Sequence, residues 1–243
     1  MTSVQTAPRP SLAGPPVTDR LPMRSPHAER PRERMLAHGP QALTTAELLA
    51  VVLRTGIAGC DSVSMGNQLL RRFGGLRGLL CADLHALLAI KGLGAAKACE
   101  LRAVSELHCR ALEEQLADKQ ALPDAGKVKQ YCAARLGHHK IEYCIALYLD
   151  CQLRLIAAEE VARGTLGQAS LYPRELVKAA LSHHAASVVL AHNHPSGNAQ
   201  ASEADINLTR HLRDALALVD IKLIDHIIVA GNHACSLMEQ GYC

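Results

Sequence analysis

Ala191-His192-Asn193-His194-Pro195-Ser196-Gly197, followed by Ser202-Glu203-Ala204-Asp205, is the stretch on which the reading of this chain turns. Just before it, Ser187-Val188-Val189-Leu190-Ala191 is a short apolar run that reads as a buried strand. Side chains alternate along a strand, so His192 and His194 project from the same face. Pro195 and Gly197 stop the strand and leave both imidazoles at its end. Ser202-x-x-Asp205 opens the next helix, where the positive helix terminus favours an ionised carboxylate at Asp205. Two imidazoles and one carboxylate supply three protein ligands and leave a fourth tetrahedral position for water. That is the arrangement of a catalytic zinc ion, not a structural one. One zinc per chain is the expectation. Taken singly, Ser202-x-x-Asp205 is an ordinary helix cap and His-x-His an ordinary surface pair. The joint pattern H-x-H-x7-S-x-x-D is far more specific than either part.

The flanking sequence builds a sheet around that strand. Tyr143–Leu149 and Leu153–Val161 read as neighbouring strands turning at Asp150-Cys151-Gln152. Ile221–Val229 reads as a final major strand. Helices are expected near Lys127–Leu136, from Pro173 through Ala180, and from Ser202 to Leu218, with Pro173 at the first-turn position that proline prefers. Residues 123–243 are thus a mixed α/β domain. Residues 29–114 read as a helical domain. Thr44-x-x-Glu47 is a capping box ahead of Leu48–Leu53, with Gly56 as that helix's C-terminal cap. A helix through Leu69, Leu70 and Phe73 ends at Gly74-Gly75, a short one covers Leu84–Ile90, and a longer one runs from Ala95 into Glu113-Glu114. Residues 115–122 are a polar linker closed by Pro123. Eight of the eleven prolines fall in the first 40 residues, so residues 1–28 read as a disordered tail. The fold class is α+β: a helical domain, then an α/β domain with a mixed central sheet.

Composition narrows the function. With one phenylalanine, five tyrosines and no tryptophan, the chain lacks the rings that bind single-stranded nucleic acid by stacking. Net charge is only +3, and the slight basic excess lies in the N-terminal half, so contact with nucleic acid is permitted there and not demanded. The nine cysteines are odd in number and scattered, with no C-x-x-C, which removes zinc ribbons and thioredoxin-type motifs. Cys81, Cys99, Cys132 and Cys144 lie in apolar runs and read as buried free thiols. No apolar run approaches the length of a membrane span, and a reducing cytoplasm fits best. Other chemistries fail on inspection: there is no H-E-x-x-H, no H-x-E with P-C-x-x-C, and no G-x-S-x-G. His226, beside Asp225 in an apolar strand, reads as a histidine supporting the ligands and not as a fourth one. His138-His139 and His183-His184 read as solvent-facing.

H-x-H-x7-S-x-x-D is the JAMM motif of the MPN-domain metalloproteases. The longer string from His192 to Gly197, with Tyr172-Pro173-Arg174-Glu175 before it and Asp225-His226-Ile227-Ile228 after it, resembles the bacterial RadC proteins over residues 29–243. Ala201 departs from the pattern, standing where many relatives have proline. The resemblance implies a zinc-dependent peptidase or isopeptidase acting on a peptide or protein. It also implies that His192, His194 and Asp205 hold zinc and that Ser202 stabilises a tetrahedral intermediate. A glutamate just before the first central strand would be the acid/base. Glu142 fits that place, with Glu175, Glu159 and Glu160 as rivals.

Ile90-Lys91-Gly92-Leu93-Gly94-Ala95-Ala96-Lys97 resembles a helix-hairpin-helix loop. In that reading Gly92 and Gly94 bring the backbone close to a phosphate of double-stranded DNA, with Lys91 or Lys97 nearby. Equally, the glycines join two packed helices or the hairpin meets a protein. The alternative function is therefore a DNA-repair or recombination accessory whose metal site is secondary. A metal-free scaffold is disfavoured because every ligand position is filled.

Overall fold

The computed structural model describes residues 29–118, 124–164, 171–231 and 233–242. The expected tail (1–28) and half of the expected linker (119–122) lie outside them, as does Pro123. Helix α1 (Pro31–His38) leads through a 3-10 turn to α2 (Thr45–Leu53), α3 (Ser62–Phe73), α4 (Leu76–Leu80), α5 (Leu84–Leu88) and α6 (Ala95–Ala117). Then come α7 (Ala125–Leu136), β1 (Tyr143–Leu149), β2 (Leu155–Arg163), α8 (Pro173–Ser182), β3 (Ser187–Asn193), α9 (Glu203–Ala217), β4 (Lys222–Ala230) and β5 (His233–Ser236). Among the described residues no helix is long and apolar enough to cross a membrane.

The capping box at Thr44 forms, with the Glu47 amide donating to Thr44 Oγ1 and Glu47 reaching back to the Thr44 amide. Gly56 is not the cap of α2; Arg54 is, at φ 62°. Gly56 instead opens a tight loop in which Ile57 pairs with Cys60, and a Cβ there would meet the Cys60 carbonyl at 2.1 Å. Helix α3 ends as expected, with Gly74 left-handed at φ 71°. Helix α6 continues to Ala117, into the segment expected to be linker, because Leu116 is buried beside Tyr131, Cys132 and Leu136 of α7.

The sheet has the order β2-β1-β3-β4-β5. Only β3 and β4 run parallel; the other neighbours are antiparallel, so the sheet is mixed. Alternation divides it into two faces. Ala146, Tyr148, Val188 and Leu190 pack against Leu176 and Ala180 of α8 and Leu212 and Leu216 of α9. Ile145, Leu147, Val189, Ala191, Ile227 and Val229 pack against α7 and the end of α6. The start of α6, through Ala98 and Leu101, closes a separate core with Leu53, Leu69, Leu79 and Leu87. One helix thus serves both halves. Of the cysteines read as buried, Cys132 and Cys144 are, whereas Cys81 is half-buried and Cys99 exposed; none of the described cysteines is paired.

Candidate metal centre

His192 lies on the last turn of the pleat in β3 and faces α9; His194 follows one residue past the strand. Asp205 occupies the third position of α9, where the cap holds it. The Ser202 amide and hydroxyl donate to Asp205 Oδ2 at 2.8 and 2.6 Å, and the Asp205 amide donates to Ser202 Oγ at 3.2 Å. The sheet supplies the imidazoles, the helix supplies the carboxylate, and the burial of both in one core brings them together. His192 Nε2 stands 2.9 Å from His194 Nε2 and 3.2 Å from Asp205 Oδ1, and His194 Nε2 is 3.4 Å from Asp205 Oδ2. A tetrahedron with bonds of about 2.0–2.1 Å has edges of about 3.3–3.4 Å, close to this spacing. His192 is fully buried, whereas the His194 side chain is 15% exposed, which leaves the group open on one side.

Hydrogen bonds fix which ring nitrogens are free. Thr209 Oγ1 donates to the Asp205 carbonyl at 2.6 Å, so at 2.6 Å from His226 Nδ1 it must accept. His226 is wholly buried, and burial, followed by the neighbouring His192, holds its pKa well below the usual value. As a neutral ring with its proton on Nδ1, it offers a lone pair at Nε2. That lone pair accepts a hydrogen bond from the N–H at His192 Nδ1, 2.8 Å away. His194 Nδ1 in turn donates to the Asn198 carbonyl at 2.8 Å. Both Nε2 atoms are thereby presented to Asp205 as lone-pair donors. The donor set fits a zinc ion, and among the described residues His192, His194 and Asp205 are the group able to hold one.

Electrostatics at the group follow from its contacts. Burial pushes the Asp205 carboxyl up, but contacts with His192 and His194, which donate to it whenever a proton sits on Nε2, and the Ser202 hydroxyl outweigh it and hold the group far below the usual carboxylate range. The His194 pKa is raised, chiefly by its bond to Asp205, with burial opposing and the Asn198 carbonyl and the Asp205 and Glu142 charges assisting.

Of the four candidate glutamates, Glu142 is the one whose charge acts on His194; it is half-buried directly before β1. Glu175 lies in the first turn of α8 beside Arg174, and Glu159 bonds His183 at 2.8 Å. Glu160 lies on β2. Ser202 directs its hydroxyl proton to Asp205, so its first duty is to orient that ligand. His226 takes the supporting place expected of it.

The sequence reading passed over two partners. Thr209 shares the Asp205 face of α9 one turn on, a spacing of four that was available to read. Asn193 points to the opposite face from His192. Its Oδ1 accepts from the Tyr143 amide at 2.8 Å, and its Nδ2 donates to the carbonyls of His139 and Ile141 at 3.1 and 3.0 Å. It thereby fastens the segment carrying Glu142 to the strand carrying the ligands. His138 and His139 are not solvent-facing: both are half-buried, His139 stacked on Tyr143 and His138 tilted against His139. His183 is likewise half-buried against Tyr148, while His184 is exposed.

In the helical half Gly92 turns at φ 87°, and a Cβ there would meet Ile57 at 2.6 Å. Gly94 caps α6 in open space. Lys97 turns inward, donating to the carbonyls of Thr55 and Gly56 at 2.7 and 3.3 Å, so it is not presented to a phosphate as the hairpin reading expected. Lys91 is exposed.

Residues 122–242 match the RadC-like JAB domain family, and residues 23–99 match the UPF0758 N-terminal family. A UPF0758 protein of Bordetella bronchiseptica is 58% identical over 215 residues, 88% of this chain and 96% of the relative. A UPF0758 protein of Dechloromonas aromatica is 52% identical over 85% of this chain and 92% of its own length. One from Thioalkalivibrio sulfidiphilus is 49% identical over 93% and 99%.

Proposed function

Because the chain belongs to the RadC family, with a RadC-like JAB domain, we propose that it is a zinc-dependent peptidase or isopeptidase that hydrolyses an amide bond. The observation carrying this reading is the convergence of two Nε2 lone pairs and a carboxylate beside an acidic side chain. When bound, the ion supplies Lewis acidity and acidifies water. His192, His194 and Asp205 would hold it, their orientations set by His226, Asn198 and Ser202. Glu142 takes a proton from the attacking water and delivers it to the departing amine. Asn193 keeps Glu142 in reach by tying residues 139–143 to β3.

The test is the Glu142→Gln chain, assayed on peptide and isopeptide substrates alongside metal analysis. Turnover should fall about 10²–10⁴-fold while zinc is retained. Undiminished turnover would remove Glu142 from the mechanism.

A second reading, DNA contact through the helical half, has one favouring observation: Lys91 lines a groove of about 420 Å³ with Arg71 and Arg72, and no acidic residue lines it. Salt-dependent duplex binding lost in Lys91→Ala would support it, and no binding at low salt would end it.

A further inference from the structure

A cleft of about 1100 Å³ lies between the helical half and the sheet domain. Arg77, Arg102, Lys140 and Arg163 line it, against a single acid, Asp83. Asp83 stands 3.9 Å from Lys140, which leaves three guanidinium groups. None of the three has a carboxylate within 4.0 Å among the described residues, whereas Arg135 behind them is answered by Glu106 at 3.1 Å.

Arg77 and Arg102 are half-buried and donate to main-chain carbonyls, Arg77 to Ala133 and Gly231, Arg102 to Leu80 and Ala82. Carbonyls satisfy N–H groups without cancelling charge. A half-buried cation without a counter-ion is unfavourable, and an anion brought within reach relieves it. Arg163 is exposed at the mouth, its guanidinium 5.0 Å from the Tyr143 ring centre. Tyr143 stacks on His139 at 3.8 Å, and His139 meets His138 at 4.1 Å. Burial, then the surrounding cations, keep both imidazoles neutral, as a positive cleft should. Gly197, on the rim, donates its N–H to the His194 carbonyl at 3.1 Å, so cleft and metal centre share a loop.

We propose that this cleft receives an acidic segment of the substrate, its carboxylates met by Arg163, Arg102 and Arg77; the proposal rests on the amide-hydrolase reading above. A concave pocket of this size suits a peptide segment better than a duplex, which needs an open stripe of cations. Guanidinium groups with free N–H pairs suit carboxylates geometrically.

Fluorescence anisotropy on the full, metal-free chain tests it, using a labelled glutamate-rich octapeptide and its glutamine counterpart. The glutamate peptide should bind about tenfold more tightly, as one or two charge-assisted hydrogen bonds imply. Arg163→Ala should weaken it about three- to tenfold, while Arg213→Ala, which removes a distant surface charge, leaves it unchanged. Equal affinity for both peptides, or equal losses in the two variants, would overturn the proposal. So would a DNA duplex that binds more tightly than the glutamate peptide and is lost in Arg163→Ala. Binding does not depend on turnover. A glutamate peptide bound selectively but never cleaved by the zinc-loaded chain would count against the hydrolase and leave the cleft assigned; cleavage of both peptides with equal affinity would do the reverse.

Discussion

Two groups of histidines sit on either side of Asn193, and their neighbours give them opposite properties. His192 and His194 meet Asp205, and the carboxylate raises His194. His138 and His139 meet arginines, and burial with those cations lowers both, His139 to about 4. One side chain type thus becomes a candidate metal ligand in one place and a neutral stacking plate in the other. Burial works against the proton at all three; at His194 the Asp205 carboxylate overrides it, and at His138 and His139 the arginines add to it. Asn193 joins the groups, since it lies between the two ligands and its side chain grips the carbonyls of His139 and Ile141.

The contrast can be broken first at Asp205. In Asp205→Ala the ligand cluster loses its anion, and zinc affinity should fall by more than the roughly 100-fold that outlying partners command. Zinc titration of the metal-free chain measures it. A sharper cut is Thr209→Val, which leaves the side chains of His192, His194 and Asp205 in place. His226 then loses the acceptor that fixes its ring, His192 loses its oriented partner, and zinc affinity should drop about 10–100-fold in the same titration. An unchanged affinity would mean that the chain of bonds from Thr209 does not set the ligand's geometry.

On the other side, Gly137→Ala would place a Cβ 2.3 Å from the Gly231 carbonyl and 2.4 Å from Arg77 Nη2, where the two halves meet. A loss of about 1–3 kcal/mol is expected, read as a fall in Tm with zinc binding retained. The smallest effect concerns His139. Its folded pKa lies below its unfolded value of 6.5, so the unfolded chain takes up the proton first. The stability tied to its neutral form is complete above pH 6.5 and is lost as the pH falls towards 4. His138 shifts in the same direction. Tm against pH should therefore be flatter over that window in His139→Gln, and an unaltered slope would contradict a His139 held neutral by burial.

Local pattern carried much of this architecture into the sequence. β1 was legible to the residue, because Tyr143–Leu149 is an unbroken apolar run buried on both faces. The convergence of His192, His194 and Asp205 was legible for a different reason: strand alternation and a helix cap are short-range rules, and both held. β5 was not, since His233-Ala234-Cys235-Ser236 has no apolar periodicity and exists by pairing with β4. α4 is five residues that follow Gly74-Gly75 and include Gly78, too short for a periodic signal. The inward turn of Lys97 and the grip of Asn193 depend on residues 41 to 54 positions away, which no local rule reaches.

The account stands most directly on the ion itself. Elemental analysis of the purified full chain should find about one zinc per molecule, and none in the His194→Ala, Asp205→Ala double variant of unchanged secondary structure. A natural chain that cannot be loaded with zinc, or a double variant that binds it equally well, would contradict the metal centre on which the proposed chemistry is built.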